Sequence, residues 1–328
     1  MSGLRVALIA GGPSAEAEVS RTSARGVFAA LERAGHAPTL FELDDALATK
    51  LLSGSFDVAF PVTHGPLGED GCLQGLLEVQ GLPYVGSQVL ASALAASKPH
   101  AKALFRAQGL PLADEALLER GQDVGKRLAE LRARFASDVV LKPASGGSAI
   151  GVEVLAKSAS DADAQAAAER AFELEPLLLV ERFAPGLEVT CGVLEEGTAL
   201  RALPPTWIRP KASGHYDFVS KYRDGGSEHV CPAPFAPALT ERIQAAALVA
   251  HRALGCRDLS RVDFIVDTAG EGSFIVLEVN TLPGMTPVSL FPEAAAAAGI
   301  PFESLCDRLV QRAFARPRRQ AQVARAMP

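Results

Sequence analysis

Two short β-rich arms late in the chain, Arg261 to Asp267 and Phe274 to Asn280, constrain the fold most. A glycine-containing turn joins them, so they read as a hairpin. Side chains alternate between faces along a strand. Arg261 and Asp263 therefore share one face of the first arm, and Glu278 and Asn280 share one face of the second. The remaining positions, Val262, Phe264, Val266 and Ile275, Leu277, Val279, form apolar faces that suit a core. Carboxylates removed from water need partners. Two carboxylates, an amide oxygen and a guanidinium on one wall suit a hard divalent cation, with phosphate oxygens completing its shell. The same alternation also describes a solvated outer face, and the hairpin alone does not choose between the two.

The segments upstream add loops where ligands gather. Leu4 to Ala10 reads as a buried parallel strand, followed by the turn Gly11-Gly12-Pro13-Ser14 and a helix from about Glu18 to Ala34. Strand, glycine turn and helix place a ligand at a sheet's carboxyl edge, although neither common phosphate fingerprint is present. Glu16, beside Ser20, is either an anchor for an ammonium group or an acid favouring a helix's first turn. Phe56 to Val62 is a second strand that leads into a glycine-rich loop, His64 to Gly71. There His64 and Glu69 form a site margin, or His64 serves as a turn residue. Ala91 to Gly109 reads as helix around Lys98 and Lys102, with Pro99 at a local start or kink. Lys142 ends a strand before a Gly/Ser loop containing Ser148. That arrangement fits a polyphosphate cradle or a hairpin tip. Leu177 to Phe183 is a buried strand emerging at Arg182, and Leu187 to Leu194 another, with Glu188 near its start. The hinge at Glu181, Arg182 and Phe183 can hold an adenine through backbone groups, with Glu188 on the ribose. The long polar stretch Gly214 to Gly226 reads as a lid in which Lys221 and Tyr222 stand out. Past Asn280, Gly284 and Ser289 can donate to a carboxylate, and closing helices follow.

Length and charge bound the class. The chain has 328 residues, enough for two domains or three smaller ones. A hydrophobic fraction of 48% can supply substantial cores, and a net charge of −6 makes no case for a nucleic-acid or membrane partner. No apolar run approaches the ~20 residues of a membrane span. Five cysteines without paired spacing, read as small buried residues, and a first apolar run too short for a signal segment place the protein in a reducing cytoplasm.

Taken in order, five segments resemble the D-alanine–D-alanine ligase family of ATP-grasp enzymes. They are Gly11 to Glu16 with Val19-Ser20, His64 to Gly71, Lys142-Pro143 through Gly151, Tyr216-Asp217-Phe218 with Lys221-Tyr222, and Arg261-Val262-Asp263 with Glu278 to Thr286. The resemblance implies an α/β (α+β multidomain) ATP-grasp fold with an N-terminal Rossmann-like domain. Its three units are a substrate-binding domain at 1–95, a central ATP-grasp domain at 96–180 and a catalytic domain at 181–328. It implies ATP and two Mg²⁺ or Mn²⁺ as cofactors, two D-alanines as substrates, and a homodimer. Lys98 and Lys142 would meet phosphates, and Asp263, Glu278 and Asn280 would hold the metals. Glu181, Arg182 and Phe183 would flank the adenine, and Glu188 the ribose. Glu16 would anchor the first ammonium, linked to Ser148 and Tyr222, with His64 beside that substrate and Lys221 in the lid. Arg261 and the Gly284 backbone would stabilise the oxyanion, and Ser289 with Leu290 would hold the second carboxylate. The implied reaction makes D-alanyl-D-alanine for peptidoglycan through an acyl phosphate. A related carboxylate–amine or D-alanine–D-lactate ligase is the alternative, against which Tyr222 weighs as the dipeptide-forming type. Ala149 replaces the second serine usual in the glycine loop, and Ala96-Ser97 replaces the usual Met-Asp before Lys98. Both changes are expected to tune the site and leave it working.

Overall fold

The computed structural model describes residues 3–147, 149–210 and 227–316. Ser148, the expected lid with Lys221 and Tyr222, and most of the basic tail lie outside them.

The first sheet is parallel. Strand β1 (Arg5–Ala10) lies between β2 (Ala37–Glu42) and β3 (Val58–Pro61). Helix α1 (Ala17–Arg33) covers one face, where Val6 and Leu8 meet Ala24, Val27 and Leu31. Helices α2 (Leu47–Ser53) and α3 (Cys72–Gln80) cover the other, where Ala7 and Ile9 meet Leu47, Leu51, Leu73 and Leu77. Burial on both faces is why β1 is apolar from Val6 to Ala10. Strand β2 was not legible in the sequence. It is a half-exposed edge strand containing Pro38, a position where proline costs the ladder little.

Parallel strands bring the turn after β1 and the loop after β3 to one edge. Ser20 ties them together: its hydroxyl accepts the Gly11 N–H at 2.8 Å and donates to the Val62 carbonyl at 2.7 Å. Gly11 has φ +74°, and a Cβ there would stand 1.9 Å from a Glu42 carboxylate oxygen. Only glycine fits that turn.

The next helical stretch is broken at Ser97 into α4 (Val89–Ala96) and α5 (Lys98–Ala107), with Pro99 in the first turn of α5. The proline thus marks a start, where its missing N–H is harmless. A four-stranded antiparallel sheet follows, in the order β4 (Glu115–Glu119), β7 (Leu177–Arg182), β5 (Val139–Pro143), β6 (Glu153–Leu155). Helices α6 (Val124–Phe135) and α7 (Asp161–Leu174) bury one of its faces. Asp123 and Ser160 cap them by accepting the N–H groups of Lys126 and Asp163.

The largest sheet runs β11 (Ser227–Val230), β10 (Thr206–Pro210), β8 (Leu187–Glu196), β12 (Leu259–Asp267), β13 (Ser273–Asn280), with β9 (Ala199–Ala202) also on β8. Helix α8 (Pro237–Leu254) lays Leu239, Ile243, Ala247 and Leu254 into one core with Val262, Phe264 and Val266. Helix α9 (Leu290–Ala297) follows β13, and α10 (Phe302–Phe314) returns to the first sheet. There its Leu305, Leu309 and Val310 share a core with Val27 and Leu31 of α1.

The β12–β13 hairpin is as expected except in one respect. Its register pairs Asp263 with Glu278 but Phe264 with Val276, so Leu277 is an extra residue in β13. Such a bulge inverts the alternation beyond it. Val276 and Val279 are buried, whereas Ile275 and Leu277 are only half-buried. The apolar face expected from Ile275, Leu277 and Val279 is thereby corrected, and Leu277 is turned to the same open side as Glu278. Of the five cysteines, Cys191, Cys256 and Cys306 are buried, Cys231 is half-buried and Cys72 is exposed, so the burial expectation fails at Cys72.

Candidate active site

A cleft of about 830 Å³ opens where the edge of the first sheet meets the open face of the largest one. The turn after β1 supplies Glu16, and the loop after β3 supplies His64 and Glu69. The hairpin supplies Arg261, Asp263, Glu278 and Asn280, and the loop leading into α9 supplies Gly284, Ser289 and Leu290. Glu188 on β8 also lines it. Eleven of the residues expected from sequence thus share one wall, although up to 274 positions separate them.

The hairpin register explains how its polar wall is assembled. Arg261 stands opposite Asn280, and Asp263 opposite Glu278. Asp263 accepts two hydrogen bonds from Arg261, at Nε and Nη2, both 2.8 Å. It also accepts from Thr190 Oγ1 at 2.8 Å and Asn280 Nδ2 at 3.1 Å. A bidentate guanidinium pair of this kind fixes direction as well as charge. It holds the Arg261 side chain in the cleft wall. Among the described residues, no three His, Cys, Asp or Glu side chains converge as a ready metal cage. The hairpin offers two carboxylates and an amide, so ligand oxygens would have to complete any cation's shell.

His64 is buried in the wall, and its Nε2 has no hydrogen-bond partner among the described residues. Burial lowers its pKa, the Glu16 carboxylate opposes that, Arg261 adds to it, and a hydrogen bond with the Leu282 backbone opposes it. A neutral imidazole with a free ring nitrogen can donate to, or accept from, a substrate without adding charge.

Glu69 accepts the Gly65 N–H at 2.8 Å. Burial pushes its carboxyl up to about 8; the Gly65 bond opposes this, Glu16 and Glu278 add to it, and Arg261 opposes it. In the protein free of nucleotide and divalent cation, this makes stability depend on pH. The folded state keeps a proton that the unfolded carboxyl, near ~4.3, has already lost. That contribution is complete below the unfolded value and is lost as pH rises through about 8. Stability measured by urea unfolding should therefore fall from pH 5 to pH 8, and Glu69→Gln should flatten the slope. An unchanged slope in that variant would remove Glu69 from the account.

Behind the cleft lies a buried charge cluster. Lys98 donates to the Gly146 carbonyl at 2.6 Å, at the mouth of the glycine loop. Lys142 and Lys102 both pair with Glu181. Burial works against charge on Glu181, but Lys142 and Lys102 outweigh it and hold the carboxyl at about 2. Burial likewise lowers the pKa of Lys98, with Glu278 opposing. Glu181, Arg182 and Phe183 are not part of the main cleft lining. The N–H groups of Arg182 and Phe183 are taken by the Asp114 and Asp138 carbonyls. The strand ladder and its continuation use these two donors.

At the other end, Ser289 stands at the N-terminal boundary of α9, with its side chain turned back to the preceding loop. Its hydroxyl accepts the Thr286 N–H at 3.1 Å and lies 2.7 Å from Thr286 Oγ1. The helix start, with Leu290 in the cleft lining, suits a carboxylate through its unpaired N–H groups and dipole. Gly284 has room for little else, since a Cβ would lie 3.1 Å from Ser289 Oγ.

Sequence reading passed over three features here. His229 Nδ1 lies 2.7 Å from Glu293, and its Nε2 is 3.2 Å from Ser227 Oγ, all in the cleft lining. No local pattern joins residues 64 positions apart. Lys102 was placed in a helix but given no role. Its spacing of four from Lys98 was the available signal. Leu277 was assigned to the core because a bulge leaves no mark in an alternating strand.

A cleft with a buried acid at one end, a carboxylate-lined hairpin beside a lysine cluster and a helix start at the other has the groups needed to hold an amino acid and a polyanion together. Comparison with known proteins points the same way. Residues 104–311 match the model "D-ala D-ala ligase C-terminus", and residues 43–87 match "D-ala D-ala ligase N-terminus". The chain is 44% identical to a D-alanine–D-alanine ligase of Geotalea uraniireducens, over 93% of this chain and 94% of that protein. It superimposes on the D-alanine–D-alanine ligase of Coxiella burnetii with a TM-score of 0.84 at 27% identity, covering 99% of this chain and 98% of the other. The Bacillus anthracis enzyme complexed with ATP gives a TM-score of 0.80 at 29% identity, with 95% and 98% covered.

Proposed function

The chain belongs to the D-alanine–D-alanine ligase family, and from that premise we propose how its cleft works. The protein is an ATP-dependent ligase that joins two D-alanines into D-alanyl-D-alanine, a peptidoglycan precursor, and releases ADP and phosphate. The observation that carries the residue roles is the convergence of Glu16, His64, Arg261, Glu278, Gly284 and Ser289 on one cleft.

The first D-alanine docks with its ammonium on Glu16, beside neutral His64. Its carboxylate oxygen attacks the γ-phosphorus of ATP, the bond to the β-phosphate oxygen breaks, and D-alanyl phosphate and ADP form. The second D-alanine is held by its carboxylate at Ser289 and the start of α9. Its neutral amine attacks the acyl carbon, and the carbon–oxygen bond to phosphate then breaks. Arg261 and the Gly284 N–H face the oxygen on which charge develops. Preorganised donors of this kind are worth most in a site that excludes water. Lys98 and Lys142 oppose the triphosphate charge, and Glu188 meets the ribose.

The donor set fits Mg²⁺. Asp263 and Glu278 are cross-strand neighbours on the cleft side, with Asn280 beside them. Asn280 presents its oxygen once the amide turns over. A cation held there would neutralise phosphate charge and align the transferring group. Its arrival requires Arg261 to share its hold on Asp263. The three sheets support three units, with the second boundary after β7 (Leu177–Arg182), which belongs to the central sheet. The homodimer and the cytoplasmic location rest on family membership, and among the described residues no helix is long and apolar enough to cross a membrane.

The direct test is phosphate release with ATP, Mg²⁺ and a panel of D- and L-amino acids plus D-lactate, with product masses. Release that depends on D-alanine and yields the dipeptide is the expected result. Preference for another acceptor would move the chain to a different ligase. For the Glu16 role, Glu16→Ala should raise KM for the first D-alanine about tenfold or more, the loss of one charge-assisted contact. An unchanged KM at that subsite would assign the ammonium elsewhere.

A further inference from the structure

Lys102 is fully buried, yet nothing above gives it work at the site. Its surroundings show why a cation is placed there. Glu115 on β4 stands directly across from Glu181 on β7. Like charges opposed on neighbouring strands repel. Helix α5 lies over this pair and presents cations at successive turns. Lys98 meets the Gly146 carbonyl, Lys102 lies between the two glutamates, and Arg106 takes the outer oxygen of Glu115 at 2.6 Å. Lys102 is 3.4 Å from Glu115 and paired with Glu181, whose other oxygen is paired with Lys142. The result is an alternating row: Arg106, Glu115, Lys102, Glu181, Lys142. Each carboxylate is shared between two cations, so Lys142, at the end of the row, has its charge only partly balanced by Glu181. That end adjoins Lys98, whose pKa the Lys142 charge helps to lower.

We propose that Lys102 is a positioning residue for nucleotide binding: by sharing Glu181 with Lys142, it leaves the Lys142 ammonium free to meet the triphosphate. This rests on the reading of Lys142 as a phosphate contact. Without Lys102, Glu181 gives its whole charge to Lys142. Lys142 is then neutralised within the wall and no longer faces the nucleotide. A burial effect alone would lower stability and leave substrate affinities in proportion.

The experiment measures melting temperature and steady-state kinetics for four variants of the full chain. Lys102→Met should raise KM for ATP about tenfold or more, the usual scale for a displaced buried charge contact. KM for D-alanine should stay within about twofold, since no carboxylate or ammonium subsite is touched. Glu115→Gln should leave KM for ATP unchanged. Lys102→Met/Glu115→Gln removes the repulsion, so its melting temperature should recover while KM for ATP stays high. If Lys102→Met does not fold, the double variant carries the test alone. Wild-type KM for ATP in the double variant would overturn the proposal and leave Lys102 a purely structural cation. Lys142→Met separates the two levels: if it leaves KM for ATP unaltered, the underlying phosphate assignment has failed.

Discussion

Glu278→Ala is expected to lower turnover on the order of 10³-fold with the fold intact, the scale seen when one charge-stabilising group leaves a preorganised site. Glu278 is half-buried in the cleft wall, across from Asp263. Its strand is anchored by its neighbours Val276 and Val279, which point into the core. Truncation therefore opens no core cavity. It removes one of the two hairpin carboxylates that can hold a cation against the transferring phosphate. Phosphate release at saturating ATP and D-alanine, together with the melting temperature, checks both halves. Turnover within tenfold of the parent at limiting Mg²⁺ would mean the cation is held elsewhere. Glu278→Gln keeps the shape and loses the charge, so it should fall nearly as far as the alanine variant.

The second large effect is on stability. Asp258→Ala should destabilise the protein by ~3–5 kcal/mol, the range for breaking a buried ion pair from one side. Asp258 is 0% exposed. It accepts the Gly86 N–H at 2.8 Å, Arg312 Nε at 3.1 Å and Arg316 Nη1 at 2.8 Å. Those partners come from the segment after the first sheet and from the chain's last described helix and the turn that follows it. Arg257 strengthens the same junction, donating to the Gly86 carbonyl at 2.8 Å and stacking over Tyr84. One carboxylate thus ties the first sheet, the largest sheet and α10 together. Its φ is +63°, a left-handed conformation that Asp and Asn tolerate better than Ala. Asp258→Asn keeps that backbone preference and an acceptor for Gly86, so it should cost less than Ala. Urea unfolding of both variants provides the comparison. A loss below ~1 kcal/mol for Ala would show that the arginines find water or other partners.

Much of the site was written locally. The turn after β1 was legible because glycines with left-handed φ have few substitutes, and β1 because burial on both faces demands an unbroken apolar run. The hairpin's polar face followed from strand alternation up to Asp263, where the extra residue changed the phase. The edge strands β2, β4, β9 and β11, and β10 next to β11, left weaker marks, because a half-wet strand needs neither apolar continuity nor strict alternation. The pairing of Glu181 with Lys102 and Lys142 was hidden for a related reason. A glutamate at a strand's end gives no sign whether it faces a ligand or two lysines.

By itself the sequence determined the chemistry available: carboxylates at Glu16, Asp263 and Glu278, cations at Lys98, Lys142 and Arg261, and a hydroxyl at Ser289. Periodicity and turn chemistry act over a few residues, so they are visible in order along the chain. Only the tertiary structure decided which groups meet. The Asp263–Glu278 register, the His229–Glu293 pair, the Asp258 junction and the sharing of Glu181 by Lys102 and Lys142 all join distant segments. Charge acts through space, and sequence distance does not measure that space.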